Sequence, residues 1–185
     1  MYRGRFFLFI FRRDVWLMKT KNVFFLKELK GDTFTPISIL QKIGGDKKFL
    51  LESSHKYHDS GRYSLIGSDP AFELISRGDT NEINYRTGEK KVIKGNPLDI
   101  INTLLPEIEE VPFPFIGGAV GYVGYDIIRQ FENIGDEFSN GLQMPDVHLM
   151  FYEEVIVFDH LEEKITICGL SLTKDGDRDL LEKRV

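Results

Sequence analysis

The amino-acid sequence predicts an α+β fold, an antiparallel β-sheet or sandwich with a few helices packed against it. Apolar and polar residues alternate from Ala71 to Lys94, and this alternation is interrupted at Gly78-Asp79 and at Thr87-Gly88. Such a pattern is typical of an antiparallel meander with tight turns. Apolar residues at helical spacing follow Asn96, and two apolar runs within residues 147–170 predict a long hairpin.

Two helices are predicted from their start and stop signals. The first begins at the hydroxyl cap Thr35 and the proline Pro36, and it stops at Gly44-Gly45. The second has Asn96 as its cap and Pro97 at its first position. Its apolar face is expected to continue until Pro112 and to consist of Leu98, Ile101, Leu104, Leu105 and Ile108.

The remaining apolar runs predict β-strands. Val23 to Leu29 reads as a strand, and the runs KFLLES (48–53) and RYSLIG (62–67) are strands on either side of a polar loop. Near the end, VHLMFYEEVIVFDH, a turn at Leu161-Glu162-Glu163, and KITICGL predict the long hairpin.

The length and composition limit the classes of protein to which this chain can belong. The chain has 185 residues, of which 42% are apolar and 29% charged, so it is long enough to bury a core. Its net charge of −5 argues against a nucleic-acid surface and leaves a small molecule or another protein as the expected partner. Its single cysteine, Cys168, is predicted to be an apolar strand residue in a protein of the reducing cytoplasm.

Residues 1–17 differ from the rest of the chain. They begin with basic residues and contain an apolar run from Phe6 to Phe11. This run is too short for a signal peptide or for a membrane span. We therefore expect residues 1–17 to be a non-native extension and translation to begin at Met18. A basic, aromatic anchor on a membrane surface is the alternative. Residues 18–185, which contain no repeat or low-complexity linker, are expected to form one domain.

Motifs of familiar catalytic classes are missing from the sequence. It contains no phosphate-binding loop, no GxGxxG after a strand, no HExxH or paired cysteines, and no GxSxG. His55 and His58 could share a metal ion if they lay on a helix, but their Ser- and Gly-rich surroundings favour a solvated loop. No metal site is therefore predicted.

A polar cluster is predicted where two strands meet. Glu52 and Ser53 end one run, and Arg62, Tyr63 and Ser64 begin the next, above a floor that includes Leu51. A carboxylate can accept from an ammonium group while a guanidinium or hydroxyl donates to a carboxylate, so this set could hold a free amino acid. The alternative is an internal ion pair between Glu52 and Arg62 that ties the two strands together.

A second unusual segment is PFPFIGGAVGYVGYD, residues 112–126. Four glycines within an apolar run weaken a strand unless another backbone or a ligand comes very close. The spacing fits no phosphate-binding motif, so close packing is preferred over a nucleotide site.

Taken in order, LLES, GRYS-LIG and the run of glycines and aromatics resemble the N-terminal region of the chorismate-utilising family, over Val23 to Leu170. This family includes anthranilate synthase component I and aminodeoxychorismate synthase component I. The resemblance implies a tryptophan feedback site, with Glu52 and Ser53 on the amino-acid group and Leu51 lining the pocket. Arg62, Tyr63 and Ser64 would then close the opposite wall.

The resemblance also implies what lies elsewhere. Chorismate and magnesium would be bound by a C-terminal part that has no counterpart after Leu170, so this chain would not be a lyase by itself. The implied partners are L-tryptophan as allosteric inhibitor, the catalytic C-terminal part and the glutamine amidotransferase component II. Two alternatives stay open, namely the N-terminal portion of aminodeoxychorismate synthase component I, in folate synthesis, and a stand-alone amino-acid sensor.

Overall fold

A computed structural model describes residues 24–52, 61–106, 111–132, 144–172 and 183. Within these ranges the chain forms antiparallel strands, two α-helices and one 3₁₀ helix at Tyr125–Gln130. The helices are α1 (Pro36–Lys42) and α2 (Pro97–Leu104). The strands are β1 (Phe24–Lys30), β2 (Phe49–Glu52), β3 (Tyr63–Gly67), β4 (Phe72–Arg77), β5 (Thr80–Tyr85), β6 (Lys90–Lys94), β7 (Gly118–Val123), β8 (Val147–Tyr152), β9 (Glu154–Asp159) and β10 (Lys164–Leu170). The predicted α+β class, with antiparallel sheet dominant, is confirmed.

These elements fall into two compact units. The first unit holds Ala71–Leu104 and the described residues of Ala119–Phe151, and the second holds the described residues of 14–70, 105–118 and 152–185. Each unit contains one five-stranded sheet. The strand order is β6-β5-β4-β8-β7 in the first and β1-β10-β9-β3-β2 in the second.

The meander predicted for residues 71–94 forms the larger part of the first sheet. β4 pairs with β5 from Phe72↔Tyr85 to Arg77↔Thr80, and β5 continues against β6. The buried Asn81 joins the turns at one end, because its side-chain amide donates to the carbonyl oxygens of Asp79, Ile93 and Gly95. The core consists of alternate residues of these strands and of β8, including Leu74, Ile83, Val147 and Phe151.

Helix α2 begins as predicted but ends earlier. The side chain of Asn96 accepts from the backbone N–H of Leu98, which caps the first turn. The helix stops at Leu104, so the prediction that it continues through Leu105 is wrong, and Ile108 lies outside the described residues. Pro106 explains the early end, because proline disfavours helical backbone in the residue before it and has no N–H to donate.

Helix α1 lies against the second sheet and is fixed at both ends. Thr35 and Ser38 form a reciprocal capping box at its start. At its end, Lys48 Nζ donates to the carbonyl oxygen of Ile43 at 2.6 Å. Ile39 of the helix packs in a cluster with Ile66, Phe158 and Ile165 of the strands, so α1 buries one face of this sheet.

The predicted long hairpin is only partly correct. β9 and β10 form its second half, with Asp159 opposite Lys164. The run from Val147 to Asp159 is two strands rather than one, because it breaks at Glu153 and the two strands pair in different sheets. Alternation of apolar residues predicts which face a residue occupies but not which partner its strand chooses.

The glycine-rich segment confirms the preference for close packing. β7 lies beside β8, and a Cβ at Gly121 would collide with the carbonyl oxygen of His148. Only a residue without a side chain fits at that distance, so this glycine serves strand packing.

Candidate functional site

The strand ends that carry the predicted ligand residues are neighbours in the second sheet. β2 pairs with β3, which places Glu52 directly opposite Ser64 and Leu51 opposite Leu65. Ser53, the remaining residue of the predicted LLES contact, lies outside the described residues.

Ser64 links two other polar side chains at this end of the sheet. Its hydroxyl donates to Glu52 Oε1 at 3.1 Å, and the same oxygen lies 2.7 Å from His160 Nε2. Ser64 is buried, with 1% of its surface exposed, whereas Glu52 and His160 are exposed. The buried hydroxyl therefore connects two groups that reach solvent.

Arg62 has a different partner from the one considered for an internal ion pair. Its guanidinium binds the carboxylate of Asp159, with Nε 3.0 and 2.9 Å from the two oxygens and one terminal nitrogen 2.6 Å from Oδ2. Asp159 lies beside β3 because β9 pairs with β3, and Tyr63 is directly opposite Asp159. The ion pair that ties the strands thus joins β9 to the start of β3 rather than β2 to β3.

Tyr63 belongs to the same group as this ion pair. The Arg62 guanidinium carbon lies 5.1 Å from the centre of the Tyr63 ring. The ring also makes an edge contact with Phe113, with 5.6 Å between ring centres. Cation–π attraction and apolar packing therefore hold the phenol in place.

The predicted site residues consequently divide between two faces of the sheet. Residues that are opposite one another in a sheet point to the same face, and successive residues along a strand point to opposite faces. Glu52 and Ser64 thus share one face, and Leu51 lies on the other with Tyr63 and Asp159. The structure brings together Glu52 with Ser64, and Arg62 with Tyr63, but does not combine them into one cluster on a single face.

Electrostatics reinforce this division. Burial raises the pKa of Asp159, but the hydrogen bonds from Arg62 and from the backbone N–H groups of Glu162 and Leu161 lower it more, so the pKa lies below its ordinary value. The hydrogen bond to Asp159 likewise raises the pKa of Arg62. The pair is therefore ionised on both sides at neutral pH and leaves little net charge on its face.

Two residues of this region were not among the predicted ligand contacts, His160 and Asp159. Asp159 is the last residue of β9, the strand that pairs with β3, and His160 directly follows it. Asp159 lies 97 positions from Arg62 in the sequence. Their sequence signal, the Asp-His dipeptide at the end of an apolar run, has meaning only once the pairing of β3 with β9 is known.

Two other classes of site are absent from the described ranges 24–52, 61–106, 111–132 and 144–172. They contain no group of three or more His, Cys, Asp or Glu side chains arranged to hold a metal ion. They also contain no helix that combines the length and the apolar character of a membrane span. Cys168 lies in a strand, β10, as predicted. It is buried, and burial raises the pKa of its thiol to about 12.

Known proteins provide an independent comparison. The chain is 37% identical over 145 residues to anthranilate synthase component 1 of Acetivibrio thermocellus, an alignment covering 76% of this chain and 29% of that protein. It is 33% identical over 144 residues to the same component of Lactococcus lactis, covering 76% and 31%. A crystal structure of anthranilate synthase component I from Streptococcus pneumoniae superposes with a TM-score of 0.57 at 32% identity, covering 84% of this chain and 34% of that one.

The chain is a relative of anthranilate synthase component I. Its resemblance to this family, inferred above from three short motifs, is therefore confirmed by both sequence and fold. The chain spans about a third of the length of the anthranilate synthase components that it matches. No family model matches the chain.

Proposed function

We propose that this chain is the N-terminal, tryptophan-binding portion of anthranilate synthase component I and is not catalytic by itself. The complete enzyme would convert chorismate and glutamine or ammonia to anthranilate and pyruvate in tryptophan biosynthesis. The relatives described above support the family assignment. The observation that carries the binding role is the exposed carboxylate of Glu52, held by Ser64 at the end of β2.

Glu52 has the chemistry to bind the ammonium group of an amino acid. An ionised carboxylate has about four acceptor positions, and the Ser64 hydroxyl uses one of them. Among the described residues, no Lys, Arg or His forms an ion pair with Glu52. An ammonium group that replaced water here would gain a charge-assisted hydrogen bond.

The geometry narrows the roles of the other predicted residues. We assign Ser53 and Ser64 to the ammonium end together with Glu52. Leu51 lies on the opposite face of the sheet, so we assign it to packing beneath this end rather than to the pocket wall. Arg62 is engaged by Asp159 in a bidentate pair, so we assign it, with Tyr63, to positioning the start of β3 rather than to the ligand's carboxylate.

Titration with L-tryptophan, followed by amide shifts in NMR spectra, tests the binding role. We expect shifts confined to the ends of β2 and β3 with a dissociation constant in the millimolar range, because this portion would supply only part of the pocket. Glu52→Gln should remove most of the effect, since the amide retains the shape but loses the charge. Glu28→Gln, at an exposed position of β1, is the matched control.

Three other results would change the proposal. An absence of shifts at millimolar tryptophan would refute the binding role. Equal binding by Glu52→Gln would refute the assignment of Glu52. A micromolar dissociation constant for the isolated chain would favour the sensor alternative instead.

Anthranilate fluorescence tests the claim about catalysis. The chain mixed with chorismate, magnesium and ammonia should form no anthranilate, because the residues that bind chorismate and magnesium are proposed to lie in the C-terminal part. Substantial turnover by this chain alone would contradict the proposal. The proposed partners are that catalytic part and the glutamine amidotransferase component II, in the cytoplasm.

A further inference from the structure

We infer that His160 is a positioning residue of the amino-acid site, because its imidazole donates to Ser64 and so fixes the Glu52 carboxylate that receives the ligand's ammonium group. This inference rests on the proposed function and adds to it the residue that directly follows β9, outside the LLES and GRYS segments. The observation behind it is the continuous contact from His160 Nε2 to Ser64 Oγ and on to Glu52 Oε1.

The direction of these hydrogen bonds follows from counting protons. A serine hydroxyl has one proton and two acceptor positions. The ionised carboxylate of Glu52 can only accept, so the Ser64 proton points to Glu52. The 2.7 Å contact with His160 must then be a bond in which Nε2–H donates to Ser64 Oγ.

This direction has a consequence for the carboxylate. Without a donor at position 160, the Ser64 hydroxyl could turn toward other acceptors, and Glu52, an exposed side chain with several rotatable bonds, would lose its fixed orientation. With the donor in place, Oε1 accepts from Ser64, and we assign Oε2 to the ligand's ammonium group. His160 therefore orders Glu52 before the ligand binds.

His160 is itself held in place. Its ring lies against the Phe158 ring, with 4.9 Å between centres, and its backbone N–H donates to the carbonyl oxygen of Arg62. The neighbouring carboxylate, Asp159, is occupied by Arg62 and by two backbone N–H groups. These contacts keep the imidazole directed at Ser64 and the Asp159 charge engaged elsewhere.

The test compares two substitutions and two ligands by NMR titration of the full chain. His160→Gln retains an N–H donor at a similar distance from the backbone, and His160→Leu removes it. L-Tryptophan carries the ammonium group, and indole-3-propionate has the same ring and carboxylate without it. His148→Gln, in the other sheet and hydrogen-bonded to Glu73, is the control for replacing a histidine.

We expect His160→Leu to weaken L-tryptophan binding about three- to tenfold, which is the effect of losing one ordinary hydrogen bond, the one between His160 and Ser64. Indole-3-propionate, which lacks the ammonium group, should bind more weakly than L-tryptophan, and its binding should be the same in the wild type and in His160→Leu. His160→Gln should stay within about twofold of the wild type for both ligands. The wild-type amide spectrum, retained in both variants, shows that they are folded.

The outcomes separate the two claims. If the wild type does not bind L-tryptophan, the proposed function fails and this inference fails with it. If the wild type binds and His160→Leu binds both ligands as well as the wild type, only the role of His160 is refuted. An equal loss for the two ligands would also refute it, because that loss would reflect general disruption rather than control of the ammonium contact.

Discussion

The two adjacent glycines after α1, Gly44 and Gly45, should respond differently to the same substitution. Gly45 has a φ of +80°, and a Cβ added there would lie 2.7 Å from the Cβ of Asp69. A Cβ at Gly44 would meet nothing within 4 Å. Asp69 cannot move away freely, because its backbone N–H donates to the carbonyl oxygen of Asp46 at 2.8 Å.

The magnitude follows from these two features. Left-handed backbone costs a residue with a Cβ about 1–2 kcal/mol, and the close approach to Asp69 adds about 1 kcal/mol. Replacing glycine by alanine also reduces the entropy of the unfolded chain, which stabilises by about 0.4–1 kcal/mol. Gly45→Ala should therefore lower the free energy of unfolding by about 2 kcal/mol, and Gly44→Ala should leave it unchanged or raise it slightly.

Urea unfolding followed by circular dichroism measures this difference. Gly45→Asn separates the two contributions, because asparagine tolerates a positive φ better than alanine but places a Cβ at the same point. Its loss should be intermediate. Equal stabilities for Gly44→Ala and Gly45→Ala would refute the assignment of the strained turn to Gly45.

Three further predictions follow from single contacts. Asp159→Asn should destabilise the fold at neutral pH. Because the pKa of Asp159 is lowered on folding, its contribution is present above the ordinary carboxyl value of about 4 and lost below it, so the wild type should lose more stability than Asp159→Asn in an acid titration. Cys168, whose pKa is raised to about 12, should react with a thiol reagent at pH ~8 only after unfolding, as mass spectrometry of native and urea-treated samples would show. Thr35→Ala should lower the free energy of unfolding by about 1 kcal/mol in urea, because it removes half of the capping box of α1, whereas an unchanged midpoint would contradict this role.

Local signals in the sequence were sufficient for most of the elements. The Thr35 cap, the Asn96 cap and the turn at Gly78-Asp79 act within a few residues, so the pattern of side chains alone locates α1, α2 and the meander. The apolar spacing continues past Pro106 and therefore predicts a longer helix than α2, which ends at Leu104. That proline is also a local signal, and it could have been read correctly.

Local signals do not predict which strands pair when those strands are far apart in the sequence. Glu153 divides one apolar run between two sheets, and nothing in its neighbours indicates this. The contacts within the site could not be predicted for the same reason, since the partner of Arg62 is 97 positions away in the sequence. Neighbouring polar residues such as those of GRYS suggest a single cluster, but successive side chains of a strand point to opposite faces of the sheet.

The division of the strand ends explains which group of a ligand this region would select. Arg62 and Asp159 neutralise one another, so the cationic side chain that the sequence offered for a ligand's carboxylate is already used inside the protein. On the other face, Ser64 holds the exposed carboxylate of Glu52 and contacts the imidazole of His160. Under the proposed function, this portion would therefore recognise an amino acid by its ammonium group, and the donors for its carboxylate would come from another part of the pocket. That arrangement would make tight binding depend on assembly with the remainder of the enzyme, as expected of an inhibitor that acts across two parts of one protein.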